Sequence, residues 1–112
     1  MTKEELIDHI SQLEGERVAF ADWHIYDEDG GCYCLLGQVA HKLHPDKSFS
    51  GIKTVSEALE MPEWLVKSIA MSFDTRVQET IGPDKFWREL TIPMDLAKEL
   101  GLQAVAGRWK DD

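Results

Sequence analysis

Val55-Ser56-Glu57-Ala58-Leu59-Glu60-Met61-Pro62-Glu63-Trp64-Leu65-Val66-Lys67-Ser68-Ile69 reads as two helices joined by a tight turn. Thr54 and Glu57 have the spacing of a capping box, with Val55, Ala58 and Leu59 apolar behind them. Pro62 fits the first turn of the next helix, where its missing N–H costs nothing. Leu65, Val66, Ile69 and Phe73 then recur at helical spacing and mark a buried face.

Working outward, the same signals recur. Thr2 with Glu5 gives a capping box ahead of Leu6, Ile7, Ile10 and Leu13, so a first helix is expected to run to about Glu14, closed by Gly15 in the left-handed cap position. Cys34, Leu35, Leu36, Val39, Ala40 and Leu43 predict a helix from about Cys34 to His44, stopped by Pro45. Thr75 with Gln78 repeats the capping spacing and predicts a short turn that Gly82 and Pro83 interrupt. Short helices are then expected over about Pro83 to Leu90 and about Pro93 to Leu100, the second closed by Gly101. The β signals are weaker. Val18 and Phe20 alternate, and Trp23, Ile25 and Tyr26 add β-favouring bulk, so the segment 17–26 is read as one or two short strands. The apolar segment 102–106 is expected to dock as a strand beside Val18 to Phe20, and Lys110 to Asp112 to fray. The expected class is mainly α: residues 1–112 as one compact globular domain of about five to six helices with a minor β element.

Composition bounds the function. The 112 residues hold 12 Lys and Arg against 21 Asp and Glu, a net charge of −9, and are 43% hydrophobic, enough for one core. Phosphate binding needs Lys and Arg to displace counterions, and here they are outnumbered, so direct nucleic-acid binding is not expected. Two cysteines are too few for a disulfide scaffold, no window is long and apolar enough for a membrane span, and Met1 to Glu5 lacks the basic-then-apolar order of a signal peptide. A cytoplasmic protein without membrane association is the expectation.

Each chemical constellation is weighed against a plainer reading. Cys32, Cys34, His41 and His44 are potential zinc ligands, but on one straight helix His41 lies roughly 10 Å and His44 about 15 Å along the axis from Cys34, too far for one tetrahedral ion. No metal or cofactor is therefore expected. A thiol enzyme would use Cys34 as nucleophile at a helix N-terminus, His24 as base and Asp22 or Asp27 as orienting group, although no spacing demands that set. The plainer reading makes Cys34 a core residue, whose replacement by serine would cost about 1–2 kcal/mol. Asp27-Glu28-Asp29-Gly30-Gly31 fails as an EF-hand because Ile25 and Leu36 fall where carboxylates are needed, and is read as a solvated turn. Residues 54–73 resemble a helix-turn-helix unit, yet its would-be reading helix offers Glu63 and one cation, Lys67, and Glu60 stands where a turn glycine is usual.

Trp23, Asp27, Asp29, Gly30, Cys34, Leu35, Leu36 and Gly37, followed by a helix and then Leu65, Val66, Ile69 and Asp74, resemble a group of small uncharacterised proteins of bacteria and their phages, which carry a tryptophan, an acidic glycine turn and a Cys-x-x-Gly helix start. The resemblance covers about half the chain and implies a small intracellular domain of phage or mobile-element origin, with no activity carried over.

The first expectation is thus a small acidic, non-enzymatic interaction protein that binds, and by binding inhibits or regulates, another protein with a basic surface, including a basic nucleic-acid-binding surface. Glu57, Glu60 and Glu63 are the expected contact residues, with Trp109 the tryptophan of the four expected to be partly exposed. The alternatives are a thiol-dependent hydrolase or transferase using Cys34 and a helix-turn-helix regulator.

Overall fold

The N-terminal capping box forms as its spacing predicts. A computed structural model describes residues 1–20, 34–47, 49, 51–89 and 91–109. In it the Glu5 N–H donates to Thr2 Oγ1 and the Thr2 N–H to Glu5 Oε1, both at 3.1 Å, and helix α1 (Lys3–Ser11) follows. The Thr2 N–H, and then the Thr2 side chain, favour the charged Glu5 carboxylate and hold it below its ordinary range. The helix ends at Gln12, earlier than expected, and Gly15 is a loop residue at φ +133° rather than its cap. Lysine takes over part of the capping: Lys98 Nζ donates to the Ser11 carbonyl at 3.1 Å, a cation at the negative end of the helix.

Strand β1 (Arg17–Ala19) pairs antiparallel with β2 (Thr91–Pro93), in the register Arg17↔Pro93, Val18↔Ile92 and Ala19↔Thr91. Arg17 locks that register through bonds to Thr91 Oγ1 at 2.6 Å and to the Thr91 carbonyl at 2.9 Å. Segment 102–106 is therefore not the strand partner. It continues helix α6 (Met94–Arg108), because Leu100, Gly101, Ala104 and Val105 share one buried helical face. An apolar run of this length fits a strand or a buried helix turn equally well, and only packing decides. Gly101 likewise does not close a helix. It lies mid-helix under Leu35, where a Cβ would collide with the leucine side chain.

Helix α2 (Leu35–Leu43) carries Leu35, and helix α3 (Ile52–Leu59) packs against it. Thr54 caps nothing at the expected position, since α3 has already begun at Ile52 with Gly51 as N-cap; the Thr54 hydroxyl donates back to the Gly51 carbonyl at 2.9 Å. Helix α4 (Glu63–Ile81) runs unbroken through Thr75 and Gln78, so the third capping spacing marks no turn. Pro62 stands at its N-cap, one position ahead of the first turn. Gly82, at φ +92°, ends α4, and Pro83 opens helix α5 (Pro83–Arg88). The mainly helical class with a minor β pair is thus observed.

The core forms where α4 and α6 pack along one another, with α1, α2 and α3 closing around them. Leu6, Ile10, Val18, Val39, Val55, Leu59, Ile69, Val77, Ala97 and Val105 are fully buried within it. A radius of gyration of 12.8 Å agrees with one folded globule of this length.

Candidate functional site

The turn between α3 and α4 is built by a Schellman pairing. The Met61 N–H donates to the Ser56 carbonyl at 3.1 Å and the Glu60 N–H to the Glu57 carbonyl at 3.2 Å, which puts Glu60 in the left-handed region at φ 53° and ψ 49°. Glycine is the usual residue there, because a Cβ costs energy in that conformation. Met61 folds inward and is buried. The inner angle of the corner is filled by Val55, Ser56, Leu59, Leu65, Val66 and Ile69.

The outer side gathers the expected acidic residues. Glu57, Glu60 and Glu63 are all exposed and line one surface depression together with Lys53. A neighbouring depression is lined by Ile52, Glu63, Trp64 and Lys67. The Met1 ammonium donates to the Glu60 carbonyl at 3.0 Å, so three carboxylates here stand among two lysines and one terminal cation. The aromatic residue of this surface is Trp64, at 63% exposure. Trp109 is part-buried and packed against the core, and its backbone N–H donates to the Val105 carbonyl at 2.9 Å at the end of α6; Trp64 and Trp87 are the more exposed tryptophans among the described residues. Trp64 was legible from helical spacing: Leu65, Val66, Ile69 and Phe73 set the buried face of α4, and residue 64 falls outside it.

Cys34 is the N-cap of α2 rather than a core residue. Its Sγ accepts from the Gly37 N–H at 3.4 Å, and the residue is half-buried. Between α2, α3 and α4 lies a cavity of about 40 Å³, lined by Cys34 and Asp74 and otherwise by apolar groups such as Leu36, Val66 and Phe73. His24, Asp22, Asp27, Cys32, Trp23 and the acidic turn lie outside the described residues. Among the described residues no three His, Cys, Asp or Glu are grouped to hold a metal ion, and no helix is long and apolar enough to cross a membrane. The helix pair α3–α4 packs as core, and the first three turns of α4 present Lys67 as their one cation.

Comparison with protein-family models, with curated proteins and with solved structures finds no match.

Proposed function

We propose that the chain is a small acidic protein-binding domain, without catalytic activity, whose α3–α4 corner receives a basic surface of another protein. The observation that carries this reading is the exposure of Trp64 at 63% beside Glu63, which also lines the depression that holds Glu57 and Glu60. Tryptophan is enriched at binding hot spots, and the net charge of −9 steers a cationic partner toward the chain. A second support is that Glu60 occupies a backbone position where glycine is less costly; unfavourable conformations of this kind concentrate at functional sites. One version of the reading is an inhibitor that covers a basic nucleic-acid-binding surface, in keeping with the phage or mobile-element origin that the sequence resemblance implies.

The test is capture of partners from a bacterial lysate with and without nuclease treatment, followed by association kinetics. Binding should survive nuclease and slow as the Debye length shortens from roughly 30 Å at 0.01 M to 8 Å at 0.15 M salt. Replacing Glu57, Glu60 and Glu63 by lysine should slow association further and leave the fold intact. A partner bound equally well after the triple reversal refutes the named surface.

The second reading is a thiol-dependent hydrolase or transferase. The observation that favours it is the placement of Cys34 at the start of α2, where helix N–H groups stabilise a thiolate, beside a cavity that Asp74 also lines. Rapid alkylation of the folded protein near pH 6 supports it, because an ordinary thiol with a pKa of about 8.5 is almost fully protonated there.

A further inference from the structure

Helix α4 has an outward face as well defined as its buried one. Leu65, Val66, Ile69, Ser72, Phe73 and Val77 point into the core, and on the other side Trp64, Lys67 and Met71 are exposed with Ser68 half-buried between them. Trp64 at 63% and Met71 at 53% exposure are two of the three large hydrophobic residues exposed among the described residues. The four stand at i, i+3, i+4 and i+7, the diamond of positions that accepts one side chain of a facing helix in knobs-into-holes packing. Seven residues, a rise of about 10.5 Å, separate its apolar ends. Ser68 leaves its floor low, and the Lys67 stem can lie along an apolar neighbour while its ammonium stays in water.

From this face we infer that α4 is one half of a heterotypic helix–helix interface, taking a basic amphipathic helix of another protein. An apolar side chain of that helix enters the Trp64–Lys67–Ser68–Met71 diamond, and its Lys or Arg residues meet Glu57, Glu60 and Glu63 at the adjoining corner; this charged half rests on the function proposed above. Charge decides against a second copy of the chain. Each copy carries −9, and an antiparallel α4 pair centred on the diamond would bring Lys67 against its own symmetry mate. A cationic helix with a neutral residue opposite Lys67 offsets the net charge of −9 and fills the apolar diamond.

The probe is a synthetic 21-residue peptide of leucine and lysine with leucine at heptad a and d positions, used at concentrations where it is monomeric. Its controls are a scrambled isomer of equal charge and a leucine–glutamate counterpart. The heptad peptide should perturb tryptophan fluorescence and bind at least tenfold more tightly than the scrambled isomer, and the glutamate peptide should not bind. The double variant Trp64→Ala/Met71→Ser should lose at least tenfold in affinity while its circular dichroism stays unchanged, since both side chains lie outside the core. Equal binding of the scrambled peptide, indifference to the double variant, or sedimentation showing a dimer that the double variant abolishes would each overturn the inference. If triple reversal of Glu57, Glu60 and Glu63 weakens binding while the double variant does not, the helix seam falls and the acidic corner stands. The converse pattern refutes the acidic corner.

Discussion

Two residues carry side chains that sit awkwardly with their backbone duties. Glu60 holds the left-handed end of α3 at φ 53°, so Glu60→Gly is expected to stabilise the fold by about 1 kcal/mol, read from the denaturant midpoint at unchanged m-value. Glu60→Ala retains the Cβ and should not share the gain; equal stabilisation by both would assign the effect to relief of repulsion among the carboxylates instead. The glycine variant should also associate more slowly with a basic partner, a trade of binding against stability at one position. Cys34 is the second case. Because Sγ accepts from the Gly37 N–H as an N-cap, Cys34→Ser supplies a preferred capping group, and stability should hold or rise by up to about 1 kcal/mol, whereas Cys34→Ala loses the cap. This reverses the cost expected of a core cysteine. A loss above about 1 kcal/mol in the serine variant would show that packing of the thiol outweighs capping.

At the scale of elements, α2 and α6 approach so closely at Gly101 that only hydrogen fits beneath Leu35. Gly101→Ala should therefore cost about 1–3 kcal/mol, since the buried Leu35 must leave its packed position, toward the cavity it lines, to admit the Cβ. In a double-mutant cycle with Leu35→Ala the two losses should be markedly less than additive, and strict additivity would mean that the contact is not the cause. The same glycine shows how far the sequence could be read. Apolar spacing located α2 and the buried faces of α3 and α4, because those signals are local and repeat every turn. It misread Gly101 as a stop, since a glycine required by a neighbouring helix is indistinguishable in sequence from one required by a turn. Capping spacing succeeded at Thr2, which lies outside its helix, and failed at Thr54 and Thr75, which lie inside theirs: threonine followed three residues later by Glu or Gln also occurs within helices. The β1–β2 pairing joins residues more than 70 positions apart, and no local pattern reports a contact of that range. At the candidate site the exposure of the three glutamates was legible from their charge. Closeness to a polar terminus is a weaker signal of exposure than helical position: Trp109 is half-buried against the core, whereas Trp64, outside the buried face of α4, is exposed.

For the whole molecule, charge and shape lead to the same expectation about nucleic acid. The net charge is −9, and the first three turns of α4 hold Lys67 as their one cation. No duplex DNA binding is therefore expected at 0.15 M salt in an equilibrium titration; submicromolar affinity falling steeply with added salt would establish the helix-turn-helix alternative. The contact between Met1 and Glu60 bears on how any of these measurements is set up. The α-ammonium rests on the α3–α4 corner, so polypeptide joined ahead of Met1 would emerge among Glu57, Glu60 and Glu63 and would exchange a cation there for a neutral amide. An affinity tag fused at that end would compete with a docking helix for the same ground, and a capture that failed with the tag there could succeed with an untagged chain coupled through a lysine beyond the C-terminal end of α4, such as Lys85 of α5.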